Sequence, residues 1–117
     1  MSQRKLTTIL LATSVVLAGF SAAAWAVSGS VSIESPKDGA TVRANEGVKV
    51  EFKVEHSADG NHLHFYEDNG NPTIVRKWSG SETLPALSAG KHEICIKEAT
   101  KGHELTGLEK CVTVEAK

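Results

Sequence analysis

Methionine occurs once, at the first position, and the chain has one tyrosine, three phenylalanines and two tryptophans. The absence of an internal methionine argues against a Cu(I) site built on thioethers. No Gly-x-Ser-x-Gly elbow and no Gly-rich phosphate loop occurs, which removes the hydrolase and nucleotide-binding signatures. Acidic residues are missing from residues 1–26, although 14 follow in the rest of the chain. Setting aside Arg4 and Lys5 takes the 13 basic residues to 11 against those 14 acids, a net charge of −3 with histidine neutral. The remaining lysines and arginines alternate with acids and form no cluster, so a nucleic-acid partner is not expected.

The acid-free segment has the layout of a secretory signal peptide. Arg4 and Lys5 precede an apolar run from Leu6 to Phe20, and Ala24-Trp25-Ala26 offers a small-x-small cleavage site. The run is shorter than the roughly 20 residues that span a bilayer, and no basic stop-transfer cluster follows. The expectation is cleavage after Ala26, one domain over residues 27–117, no membrane span in the mature form, and a periplasmic or secreted location. A domain of this size has a limited core and benefits from a staple. Cys95 and Cys111 are the only cysteines, and an oxidising compartment favours a disulfide between them.

Turn residues punctuate the chain every ~8 to 12 residues, as in a sandwich or barrel. Between them short runs alternate: Val48, Val50, Phe52 and Val54 with charged partners, Ile94 and Ile96 with Glu93, Cys95 and Lys97, and Val112 and Val114 with Cys111 and Thr113. Period two with one apolar side describes strands buried on one face. The spacing predicts about seven strands, over 30–35, 48–56, 62–67, 73–78, 82–86, 91–98 and 108–115. If Ile94, Ile96, Val112 and Val114 face the core, Cys95 and Cys111 share the opposite face of one antiparallel pair, within bonding reach.

Ser35-Pro36-Lys37-Asp38-Gly39-Ala40-Thr41-Val42 resembles the opening of many secreted bacterial immunoglobulin-like modules, and the stretch from Leu84 to Ile96 resembles their corner and penultimate strand. A closer resemblance is to a family of His-rich periplasmic domains that combine this opening with a His-x-His strand and a Gly-Lys-His corner, here His62-Leu63-His64-Phe65 and Gly90-Lys91-His92. The resemblance implies an all-β, immunoglobulin-like antiparallel β-sandwich, to which the Cys95–Cys111 pair would add one disulfide. It reports fold more than function.

Five histidines, His56, His62, His64, His92 and His103, are the residues with chemistry to offer. His62 and His64 lie two apart in a strand, so they project from one face with Cα atoms roughly 6.5 to 7 Å apart. Two imidazoles at that spacing can reach one Cu or Zn ion. His56 ends the preceding strand, where the Ala58-Asp59-Gly60 turn is expected to bring it back beside His62. His92 opens the penultimate strand and His103 lies between the two cysteine strands. Leu63 and Phe65 are the expected core residues of their strand, which places His62, His64 and Tyr66 on an outward, polar face. His92 shares parity with Ile94 and Ile96, and His56 with Phe52 and Val54, so a common site requires the strand ends to gather at one pole.

The functional reading is a small binding module that holds a transition metal, Cu or Zn, through His62 and His64 with His92, His103 or His56 completing the shell. The competing reading is a non-catalytic interaction domain whose partner is another cell-envelope protein. An enzyme comes last: Gly60 to Asn69 resembles the copper-ligand strand of copper/zinc superoxide dismutases, but later ligand histidines and a zinc loop are missing. Scattered carboxylates, Glu67 and Glu98 among them, read as solvated, and Trp78 as closing an edge strand against the core.

Overall fold

A computed structural model describes residues 28–117; the expected signal peptide lies outside the described residues. Eight strands follow in order: β1 (Ser30–Ser35), β2 (Thr41–Val42), β3 (Val48–Glu55), β4 (His62–Glu67), β5 (Thr73–Val75), β6 (Ser79–Leu84), β7 (Gly90–Ala99) and β8 (Leu105–Ala116). They form two sheets, β1-β3-β6 and β2-β8-β7-β4-β5. Every pairing is antiparallel except β2 with β8.

The core lies where the alternation places it. Val48, Val50, Phe52 and Val54 of β3 face Leu63 and Phe65 of β4, Ile94 and Ile96 of β7, and Val112 and Val114 of β8. Phe52 and Phe65 meet edge to face across the two sheets with ring centroids 4.9 Å apart, a geometry that adds to the burial of both rings. Cys95 is directly opposite Cys111 in the β7–β8 ladder, and the two form a disulfide on the outer face.

Three expectations need correction. The segment 73–78 is not one strand: β5 ends at Val75 in the five-stranded sheet, and β6 starts at Ser79 in the other. Trp78 makes the crossing, with its indole against the core and its carbonyl accepting the Val54 N–H at 2.7 Å. As a result β6 covers 79–84 in place of 82–86. The Pro36-to-Val42 opening contributes the eighth strand, β2, which the period-two reading cannot detect because it is two residues long. There Asp38 Oδ1 accepts the Thr113 N–H at 2.8 Å, and Gly39, at φ +84°, turns the chain onto β8. Finally, Glu98 is not solvated. It shares the inward parity of Ile94 and Ile96, is fully buried, and accepts hydrogen bonds from the Ser57 N–H (2.9 Å), the Ser57 hydroxyl and the Thr106 hydroxyl (2.8 Å).

Candidate metal centre

β4 projects His62 and His64 from the outer face of the five-stranded sheet, opposite Leu63 and Phe65. This parity agrees with the sequence, but the solvation does not: His62 is 1% and His64 5% exposed. Neighbouring strands and the β7–β8 loop account for the difference. His62 is opposite Ala99 of β7, and His64 lies between Lys97 of β7 and Ile74 of β5. Beyond Ala99 the loop 100–104 brings His103 over the pair, so that its ring lies 4.8 Å from that of His62 and 5.6 Å from that of His64.

The loop holds His103 in place through Thr100. The His103 N–H donates to the Thr100 carbonyl at 2.9 Å, the Thr100 N–H donates to the Glu104 carbonyl at 2.8 Å, and the Glu104 N–H donates to Thr100 Oγ1 at 3.2 Å. His103 has φ +69°, a left-handed conformation that histidine tolerates better than most side chains. Glu98 secures the same end from beneath. Its hydrogen bonds join the β3–β4 turn through Ser57 to the start of β8 through Thr106, and so frame the segments that carry His62 and His103. Gly60 makes room for that carboxylate, since a Cβ there would overlap Glu98 Oε2.

Three ring nitrogens converge at this point. His62 Nε2 is 2.9 Å from His64 Nε2 and 3.2 Å from His103 Nδ1, and the last two are 3.5 Å apart. The far nitrogens of the β4 pair are engaged elsewhere. His62 Nδ1–H donates to Asn61 Oδ1 at 2.8 Å, and His64 Nδ1 lies 3.1 Å from the Tyr66 hydroxyl. A proton held at Nδ1 leaves the Nε2 lone pair free, which is how outer partners orient ligand histidines. The His62 pKa is lowered by burial, then by the His103 and Arg76 charges; the His64 pKa is lowered by burial, then by His62 and His103. Both imidazoles are therefore held in the neutral form that binds metal. No Asp, Glu or Cys among the described residues joins the three.

The other two candidates lie elsewhere. The turn after β3 crosses from one sheet to the other, so His56 does not return beside His62; it stacks on Trp78 at 4.7 Å and its Nδ1 donates to the Ser57 carbonyl. His92 sits near the opposite end of β7, and at about 3.3 Å per residue the seven steps to Ala99 span roughly 23 Å. There its Nδ1 meets the Asp68 carboxylate and its Nε2 donates to the Ser88 carbonyl at 2.7 Å. The hydrogen bond to Asp68, then the one to Ser88, raises the His92 pKa. The sequence reading missed Tyr66 and Asn61 as outer partners and Glu98 as the anchor of this end. Parity alone places Tyr66 on the histidine face and Glu98 inside.

No family model and no curated relative matches the sequence. Among solved structures, the chain is similar to the fibronectin(III)-like modules of Clostridium thermocellum CbhA, with a TM-score of 0.61 at 19% identity, over 74% of this chain and 96% of that one. The likeness shows the fold: this chain is an all-β sandwich of the immunoglobulin-like kind, carrying the Cys95–Cys111 disulfide.

Proposed function

We propose that this protein is a small binding module that holds one Zn(II) or Cu(II) ion through His62, His64 and His103. The observation that carries the reading is the triangle of ring nitrogens with sides of 2.9, 3.2 and 3.5 Å. A circle through them has a radius of about 1.9 Å, so an ion bonded at roughly 2.0–2.1 Å to each would stand about 0.8 Å off their plane, close to the ~0.7 Å of a regular tetrahedron. Three imidazoles suit Zn and Cu(II). A solvated polar face would not bring three imidazole nitrogens to such distances, because three converging lone pairs repel unless a proton or a cation lies among them.

The reading is tested by metal content and calorimetry on the mature protein without an affinity tag. One equivalent of Zn(II) is expected per chain, lost in His62→Ala, His64→Ala and His103→Ala and kept in His92→Ala and His56→Ala. Binding that survives all three of the first set would refute it. The likeness to fibronectin(III)-like modules favours a second reading, a non-catalytic interaction domain of the cell envelope. The expected signal peptide supports a periplasmic or secreted location for either.

A further inference from the structure

The metal reading leaves the ion one ligand short, and the surroundings of the triad indicate what supplies it. Structural zinc in proteins is almost always four-coordinate, yet the described residues provide three donors at this place. All three are neutral imidazoles, so a divalent ion held by them keeps its full double positive charge, with no carboxylate or thiolate in the group to offset it. The neighbouring side chains add to that charge. Leu63 pairs with Val75 in the β4–β5 ladder, and Arg76, the next residue after β5, lies close enough for its charge to act on His62. Arg76 is exposed and makes no ion pair among the described residues. Of the other charges around the triad, Lys97 opposite His64 is paired with Glu109 at 3.4 Å, and the His103 loop carries exposed Lys101 and Glu104, which are of opposite sign.

The same face also has an apolar side. Among the described residues, Ile74 and Leu105 are the two large hydrophobic residues left exposed, at 40% and 49%. Ile74 is paired with His64, and Leu105 with Ala99, which itself is opposite His62. The mouth of the triad is therefore bordered by one unpaired guanidinium and two aliphatic side chains.

Resting on the metal reading, we propose that the His62–His64–His103 centre keeps its fourth coordination position for a small exogenous anion of the carboxylate class, with Arg76 as the neighbouring countercharge and Ile74 and Leu105 facing the anion's alkyl part. Water occupies the position when no anion is present. An anion there offsets charge that the protein leaves uncompensated, and it enters from the exposed side, where His103 alone of the three ligands is open to solvent.

The test uses the whole mature chain loaded with Co(II), whose visible bands report coordination number and ligand exchange. One Co(II) per chain with the intense bands of a four-coordinate ion is expected, and azide or acetate should shift those bands to a saturating end point. In Arg76→Ala the anion constants should weaken by about twofold to fourfold, the size expected when one unit charge is removed in a water-like dielectric, and Arg76→Lys should restore most of the loss. Propionate should bind more tightly than acetate, which has nearly the same basicity, and equal constants would overturn the role of the aliphatic rim. Bands that stay unchanged in excess azide while cobalt remains bound would overturn the open position but leave the metal centre standing. Failure to bind cobalt, or bands that persist in His62→Ala/His64→Ala, would overturn the centre itself.

Discussion

At one end of β4 and β7 three imidazoles face one another, two of them almost fully buried; at the other end His92 meets a carboxylate at the surface. The carboxylates differ in the same sense. Glu98, behind the triad, is fully buried and takes three hydrogen bonds. Glu67, toward His92, has a buried Oε2 with no partner, and burial followed by the Asp68 charge raises its pKa. Both ends belong to the same two strands, so the contrast is local. It comes from which residues the turns bring alongside. The triad end holds His62 and His64 in an environment that favours their neutral form, whereas the His92 end holds a charged pair beside an acid whose ionised form burial disfavours.

The largest expected effect tests whether the triad end depends on its buried carboxylate. Glu98→Ala should lower stability by about 4 kcal/mol, because it strands the Ser57 N–H and two hydroxyls at about 1–3 kcal/mol for each donor that finds no water. Urea denaturation provides the measure. Glu98→Gln, which keeps an acceptor, should cost less. Glu67→Gln should be neutral or slightly stabilising at pH 7, since it removes an acid that the fold disfavours in its ionised form. A similar loss at both positions would erase the distinction between the ends.

The disulfide lies between the two ends and is expected to serve both. Closing a loop of 16 residues contributes on the order of 3 kcal/mol in the chain-entropy model. Cys95→Ser should therefore lower stability by roughly 2–4 kcal/mol in a urea titration, with no free thiol in the denatured wild type. The same variant should weaken Zn(II) binding, because the bridge secures the hairpin whose loop carries His103.

How much of this contrast is legible in the sequence depends on the range of the interaction. Alternation along Val48–Val54 and the matched parity of Cys95 and Cys111 are properties of strands, so the core, the disulfide and the shared face of His62 and His64 follow directly. The role of Glu98 is legible by the same rule, since it continues the row of Ile94 and Ile96, but the rarity of buried glutamate argues for a solvated side chain there. Convergence of His103 is different. It depends on a loop with a left-handed residue, where no periodicity operates. Likewise, His56 was expected beside His62 on the assumption that a short turn joins neighbouring strands, but this turn joins two sheets.

Metal binding should separate the two sets of histidines at a slightly smaller scale. A ligand at about 100 times its dissociation constant stabilises the folded state by about 2.7 kcal/mol, so Zn(II) should raise the thermal midpoint by several degrees at pH 7.5. His62→Ala, His64→Ala and His103→Ala should each abolish most of the rise, while His92→Ala leaves it intact. The rise should shrink at pH 5.5, because protons compete for the imidazole lone pairs below an ordinary histidine pKa of about 6.5. An equal rise at both pH values would point to ligands other than histidine.

The smallest effect distinguishes the two ends by the sign of their response to pH in the metal-free protein. His62 and His64 have pKa values lowered from 6.5, by burial first, so the unfolded chain takes up protons that the folded chain resists. Their contribution is present above pH 6.5 and is lost as pH falls through the lowered values. His92 has a raised pKa, from the Asp68 hydrogen bond first, so its contribution is fully present below 6.5 and fades as pH rises through the raised value. For Asp68, burial acts to raise the pKa, but hydrogen bonds from His92 and the Glu93 N–H prevail, and the net shift is downward from 3.8. The pair is thus most effective between about pH 4 and 6.5, the interval in which both partners are charged. Asp68→Asn can keep the Oδ1 that accepts the Glu93 N–H at 2.8 Å, so it removes charge without removing that acceptor. The difference in thermal midpoint between wild type and Asp68→Asn should be greatest near pH 5.5 and smaller at pH 8.5. For His62→Gln/His64→Gln the opposite is expected, with the variant gaining on wild type as pH falls from 7.5 to 5.5. If both differences moved in the same direction with pH, the two ends would not be holding their histidines in opposite protonation states.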